Sequence, residues 1–397
     1  MSAPIQPASD LPPPLVPREW RLRLDPLLLL ATVGLVACSL VVLKGATAND
    51  IPGDPLYFVK RQAIYGGVGL VLMYLVSRID YSRLREWRYP IYGITIVSLL
   101  GVLALAKATR GAKSWIPLQG FHLQPSELGK VLLVVALAGF MVERMRVMGR
   151  DTTARVMLLG LLPTLIVMAE PDLGSATVYV AGTLAVLFVA GAPWRHFTAL
   201  IALFAVSTAF VLVVGPRVGV EVLKPYQVQR LTAFLHPSQD PADAGYQLEQ
   251  AKVALGSGGK TGRGVKNATQ TSLNFLPEHQ TDFVYAVVGE TYGFAGCALI
   301  LSLYALLIWR GLHILTISKN LFGALIAGGI TVMLLFQLFV NIGMNVGIMP
   351  ITGVTAPLLS FGGSSMLSTF LALGLLHSIN AQARETSDRK GRATIFQ

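Results

Sequence analysis

Asp282 closes the polar run NFLPEHQTD and is followed at once by an apolar stretch. A carboxylate in that place either caps the start of a helix or takes a proton from a reacting hydroxyl group. Lys130 lies about one turn inside another apolar stretch, which opens at Pro125, and an ammonium ion there is costly unless paired or hydrated. Its partner is either Glu127, three residues earlier on the same helical face, or an external anion such as phosphate. Glu170 and Asp172 flank Pro171; they serve as turn formers, or bind a divalent cation, with Asp172 the better placed. Trp115 suits an interfacial anchor and a platform for a sugar face equally well. Glu290 falls about two turns into the stretch after Asp282 and must face water or another helix. The run GSGGKTGRG invites comparison with a phosphate loop, but Ala254 stands where that motif requires its first glycine and no buried strand precedes it. Its glycines are expected to make close backbone turns, and Lys260, Arg263 and Lys266 add positive charge.

The elements that must position these residues are membrane spans. Of 397 residues 53% are hydrophobic and only 13% charged, and the mean hydropathy is +0.60. A soluble domain carries about 25% charged residues because its surface faces water. The chain is therefore expected to be an all-α, polytopic integral membrane protein. Apolar runs of bilayer length fall near 26–44, 61–77, 89–107, 125–143, 155–170, 174–192, 197–215, 283–309, 321–343 and 364–381. Those about 125–143 and 155–170 are the weakest, interrupted by Lys130 and Pro163. About ten helices result, flanked by a disordered, proline-rich N-terminal tail (1–24) without a cleavable signal and by a C-terminal tail (383–397). The membrane domain between them runs over 25–382.

Arginines cluster in alternate connections: Arg78, Arg83, Arg85 and Arg88; Arg144, Arg146, Arg150 and Arg155; Arg310 with Lys319; and Arg384 to Arg392 in the tail. The bias puts these connections and both termini in the cytoplasm. The net charge of +11 is absorbed by this rule, so no nucleic-acid partner is implied. Cys38 and Cys297 both sit inside apolar runs, which excludes a disulfide framework and a cysteine metal site. Everything chemically unusual then lies outside: 108–130, the 170–175 turn, the long 216–282 connection between helices seven and eight, and 344–363. The last of these alternates Gly, Pro and Ser. Irregular backbone near membrane depth is tolerated only where protein or a water-filled cavity borders it, so this loop is expected to line a site.

Four stretches, WIPLQGFHLQPSELGK, EPDLGSA, FLPEHQTDFVYAVVGE and NIGMNVGIMPITGVTAPLLSFGGSS, together resemble the SEDS family of RodA and FtsW, in order and in topology, over about residues 25–382. The last two look more like RodA. The resemblance implies a peptidoglycan glycosyltransferase that polymerises lipid II into glycan strands at the outer face of the bacterial cytoplasmic membrane, for elongation and cell shape. It also implies a class B penicillin-binding protein as partner. The family's essential aspartate maps onto Asp282, its basic pocket residues onto Arg61 and Lys130, and further motif positions onto Glu127, Trp115 and Asp172. The family commonly has Gln where Glu170 stands and an acidic residue where Thr291 stands. Asp282 is the expected general base, with Arg61 and Lys130 opposite the departing pyrophosphate. A divalent ion, Mg or Mn, could share that task, though no ligand cluster in the sequence demands one. Two competing readings are a flippase for lipid-linked precursors and a noncatalytic scaffold. A flippase needs polar residues on both faces and along a path between them, and the inner half has few.

Overall fold

The computed structural model describes residues 24–48, 50–105, 115–118, 121–144, 150–209 and 244–395. The expected N-terminal tail, the loop about Lys107 to Lys113 and the first half of the 216–282 connection lie outside the described residues.

Helices α1 (Pro26–Ala46), α2 (Tyr57–Ser77), α3 (Arg88–Leu105), α4 (Pro125–Arg144), α5 (Arg150–Ala169), α6 (Leu173–Val189) and α7 (Trp194–Ala209) match the first seven apolar runs. Beyond the connection, α8 (Ala244–Ser257) and the single turn α9 (Thr269–Ser272) precede the long helices α10 (Val284–Ile317), α11 (Leu321–Val346) and α12 (Gly363–Ile395). Among the described residues five helices, α1, α4, α5, α10 and α11, are long and apolar enough to cross a bilayer by themselves, and they include both runs expected to be weakest. The architecture is all-α as expected; among the described residues a short antiparallel pair, β1 (Ile116–Leu118) with β2 (Phe121–Leu123), precedes α4.

The bundle turns its apolar side chains outward as well as inward. Leu30, Val97 and Phe294 are exposed, as a lipid-facing surface requires, whereas Gln62, Lys130, Glu290 and Asn341 are buried. The central helix is α4: 83% of its apolar window is buried, against 39% in α1. It packs against α3, α6, α11 and α12, while α2 lies along α12 and α1 along α10.

Local chemistry explains the irregular points. Pro163 inside α5 has no amide proton for the carbonyl of Leu159, one turn back, and the Tyr92 hydroxyl of α3 donates to that carbonyl instead at 2.9 Å. Asp25 caps α1, accepting from the amides of Leu27 and Leu28 at 3.1 and 3.0 Å, with Pro26 in the first turn. Its carboxylate also receives Arg310 of α10 and, at 3.4 Å, Arg384 of α12, and its own amide donates to His377 Nδ1 at 3.1 Å. Burial alone would raise the Asp25 pKa, but the Arg310 bond, the Leu28 amide and the two guanidinium charges outweigh it and hold the group below its usual range. Arg310, expected in an inner loop, is instead inside α10 and buried, because this carboxylate is its partner. The last helix also runs on to Ile395 rather than stopping near 381, so the C-terminal tail begins as helix.

A second break lies within α10. Gly293 leaves helical geometry at φ 66°, ψ −160°. An unbroken helix would bond the amides of Phe294 and Ala295 to the carbonyls of Glu290 and Thr291. The GSGGKTGRG run is spliced into that gap: Phe294 and Ala295 donate to the carbonyls of Gly259 and Lys260 (2.9 and 3.1 Å), and Arg263 and Gly264 donate to those of Glu290 and Thr291 (2.9 and 3.1 Å). All four severed groups are satisfied, and the glycine-rich run is a backbone splice, in keeping with close turns rather than a phosphate loop.

Candidate functional site

Asp282 ends the turn that leads into α10. The capping position belongs to Phe283, not Asp282, and the third amide of the helix, that of Ala286, is taken at 3.0 Å by Asn345 Oδ1 from α11. That amide is thus capped from α11. The main chain at Asp282 is held from several directions. Its carbonyl accepts from Asn341 Nδ2 at 3.0 Å and Asn345 Nδ2 at 3.1 Å, and its amide donates to the Glu278 carbonyl at 3.1 Å. The preceding carbonyls are held by the 351–364 loop: Ser360 Oγ donates to Thr281 at 2.5 Å and the Phe361 amide to Gln280 at 2.9 Å. The half-buried Asp282 side chain thus stands on a fixed peptide.

The same loop reaches the other expected residues. On one side Gln62 Nε2, beside Arg61 on α2, donates to the Ser360 carbonyl and to Ser39 Oγ, both at 3.0 Å, and Ser39 donates to the Leu359 carbonyl at 2.6 Å. Phe361 meets Phe58 edge to face at 4.9 Å between centroids. The Arg61 guanidinium lies 4.5 Å from the Tyr57 ring centre, so its side chain is laid along the start of α2. On the other side Ser364 donates to the His122 carbonyl and Ser368 to the Glu127 carbonyl, at 2.9 and 2.6 Å. Lys130 Nζ bonds Glu127 Oε1 at 2.6 Å with both side chains almost fully buried, so the local ion pair is the partner that the structure gives this lysine. Asp172 caps α6 through Ser175 at 2.9 Å and accepts from Gln124 Nε2 at 3.0 Å, which joins the α5–α6 turn to the start of α4. Trp115 is half-buried where the hairpin begins, and β2 packs against α12.

The loop 351–364 thus bonds to α2, to the start of α4 and to the Asp282 turn. Asn341, Asn345 and Ser360 are absent from the residues singled out in the sequence. Two primary amides four apart in an apolar helix were the available signal, because a buried amide in a membrane span must find partners. Glu290, expected to face water or another helix, is fully buried and accepts from the amides of Gln270 and Thr271 (2.8 and 3.1 Å) and from the Thr271 hydroxyl (2.7 Å). It is the cap of α9, and so ties the segment before Asp282 to α10. Among the described residues no group of three or more His, Cys, Asp or Glu side chains comes together as a metal site would require.

Glu170 is fully buried in the α5–α6 turn, and burial, with the Asp172 charge beside it, pushes its pKa from 4.5 up to about 8. Between those two values the native protein keeps a proton that the unfolded chain releases. Stability should therefore fall as pH rises through this window, by up to about 1.4 kcal/mol per unit. Melting of detergent-purified protein is expected to drop from about pH 5 to about pH 8, and Glu170→Gln should flatten the profile and raise the melting point at the alkaline end. A variant profile parallel to that of wild type would remove Glu170 from the account.

The chain matches the family model described as cell cycle protein, FtsW/RodA/SpoVE, over residues 22–385. It is 35% identical over 369 residues to stage V sporulation protein E of Bacillus subtilis, covering 91% of this chain and 98% of that protein. It is also 35% identical over 367 residues to the peptidoglycan glycosyltransferase MrdB of Escherichia coli K12, covering 92% and 96%. Among solved structures it resembles a chain of a peptidoglycan synthase complex that coordinates polymerization and crosslinking, with a TM-score of 0.77, 33% identity and coverage of 91% and 99%.

Proposed function

The chain belongs to the FtsW/RodA/SpoVE family of cell cycle proteins, and from that membership we propose how it acts as a peptidoglycan glycosyltransferase of the bacterial inner membrane. Its substrate is lipid II, and its product is a glycan strand that remains linked to lipid. A sugar hydroxyl of one chain attacks the anomeric carbon of the other. The C–O bond to the lipid pyrophosphate breaks, and direct attack inverts that carbon. Asp282 takes the hydroxyl proton as general base. Arg61 stabilises the departing pyrophosphate, with Lys130 beside it, oriented by Glu127. Trp115 and Asp172 shape the same face of the site. A class B penicillin-binding protein crosslinks the product, and the pair serves elongation and cell shape.

The observation that carries this reading is the clamp on the Asp282 peptide. Two asparagines of α11 hold its carbonyl and Ser360 holds the carbonyl before it, while Asn345 also takes the Ala286 amide of the helix. A scaffold would have no use for a carboxylate presented in this way. The direct test is polymerisation of labelled lipid II by the purified full chain, alone and with its cognate transpeptidase inactivated at the serine. Glycan strands are the expected product. Their absence in every partnered condition would favour a lipid transporter, to be tested by translocation in sealed vesicles.

A further inference from the structure

Helices α1 and α10 pack against each other and present exposed apolar side chains, Val41 from the one and Phe294 and Leu299 from the other. The Asp25–Arg310 pair fixes one end of this shared face. At 1.5 Å per residue Lys44 lies about 27 Å from Pro26 along α1, and Phe294 about 24 Å from Arg310 along α10. Both lengths approach the ~30 Å of a bilayer's hydrocarbon core. Lys44 and the break at Gly293 therefore stand at the far end of the lipid-facing surface, on the Asp282 side.

Four cations gather there. Lys44 closes α1, and Lys260, Arg263 and Lys266 come from the splice; all four are exposed. Main-chain bonds keep the splice at this level, the Lys260 carbonyl taking the Ala295 amide at 3.1 Å and the Arg263 amide donating to Glu290 at 2.9 Å. Val265, exposed between Arg263 and Lys266, is packed so closely on α1 that a Cβ on Gly45 would lie 2.8 Å from its Cγ2.

The charge of this patch is uncompensated. Exposed cations elsewhere have carboxylate partners, Lys60 with Asp54 and Arg155 with Asp151, both at 2.9 Å. None of these four forms an ion pair among the described residues. From Pro26 to Ala48 and from Gln250 to Pro277 the chain has no Asp or Glu, and Glu290 is spent inside the protein on the α9 cap. A row of long cationic side chains at the rim of an apolar face suits a layer of lipid headgroups: the stems lie along the acyl chains and the charges reach the phosphates. A small soluble anion needs a recess with converging donors, and these side chains are spread over an exposed rim.

We propose that Lys44, Lys260, Arg263 and Lys266 form a binding site for anionic phospholipid headgroups in the leaflet on the Asp282 side. Through the Lys260 and Arg263 main-chain bonds, headgroups held there brace the break in α10. The inference does not rest on the glycosyltransfer reading.

The test is native mass spectrometry of the detergent-purified full chain titrated with phosphatidylglycerol, and with phosphatidylcholine as the zwitterionic comparison. Wild type is expected to retain phosphatidylglycerol at least tenfold more tightly. Lys260→Gln and Lys266→Gln should each weaken that binding about fivefold, and the triple variant with Lys44→Gln about a hundredfold. The triple variant should melt with wild type, since it keeps Arg263, whose Nε donates to the Ser257 carbonyl at 3.1 Å, and every main-chain bond of the splice. Lys252→Gln, which removes an exposed cation lying over Gly347 at the end of α11, should bind as wild type does. Undiminished phosphatidylglycerol binding in the triple variant overturns the proposal, as does equal binding of the two lipids. Displacement of phosphatidylglycerol by micromolar inorganic pyrophosphate overturns it too, and would make the patch a site for a free anion.

Discussion

Asp282→Asn is expected to cut the rate of lipid II polymerisation by about 10²- to 10⁴-fold, the range a positioned general base supplies. The variant should fold as wild type does. Its peptide group is held by Asn341, Asn345 and the Glu278 carbonyl, and asparagine keeps that peptide unchanged. The Ala286 amide in the first turn of α10 is bonded to Asn345, and the substitution leaves that bond in place. Initial rates of strand formation, with melting temperature and lipid II affinity measured on the same preparations, separate the possibilities. A lower rate at unchanged affinity and melting point is the signature of a lost proton acceptor. Strands formed at the wild-type rate would take Asp282 out of the mechanism altogether.

The clamp also explains why a rate effect should localise to the side chain. Asn345 serves three groups: the Asp282 carbonyl, the Asn341 carbonyl and the Ala286 amide. Asn341 joins the Asp282 carbonyl to that of Val354 in the 351–364 loop. These bonds lie in a membrane protein's interior, where a polar group without a partner is expensive. They therefore fix the geometry of the turn as well as the packing of α10 on α11. The carboxylate is held to one place before substrate arrives, which is what a general base needs.

The positions of the long helices were readable because hydropathy and local chain chemistry agree there. Pro26 and Pro125 open α1 and α4 at the residues where a proline is tolerated, and the apolar runs behind them are of bilayer length. The interior of the site was only partly readable. Asp282, Arg61 and Lys130 stand out by type and place, but the residues that hold them do not. Gln62, Ser360 and Asn345 act on carbonyls 298, 79 and 63 positions away along the chain, and no periodicity encodes such pairings. The same limit applies to α8, which lies inside a connection read as a loop, because its mixed sequence gains helical order from packing on α10 and α11. It applies equally to the break in α10, since an apolar run looks continuous whether or not its backbone ladder is.

That break yields the second large effect. Gly293→Ala should destabilise the protein by several kcal/mol and abolish most of its activity, although the added group is a single methyl. At φ 66° and ψ −160° the backbone occupies a region that essentially only glycine enters, and other residues lose about 1–3 kcal/mol there. Space is closed as well. A Cβ at Gly293 would lie 2.3 Å from the Gly262 nitrogen and 2.7 Å from that of Thr261, both main-chain atoms that cannot swing aside. The splice would have to open, exposing four backbone groups whose bonds contribute about 0.5–1.5 kcal/mol each. With it goes the angle at which the segment after Asp282 meets the rest of α10, and so the placement of the carboxylate. Gly256→Ala is the matched control: it lies in the helical part of the same connection, has nothing within 4 Å of its Cβ position, and should be neutral or slightly stabilising. Thermal melts and strand synthesis on both variants decide the matter. If Gly293→Ala melts and polymerises like Gly256→Ala, the glycine-rich run is not the splice that sets the site, and its charged residues Lys260, Arg263 and Lys266 become the part to explain.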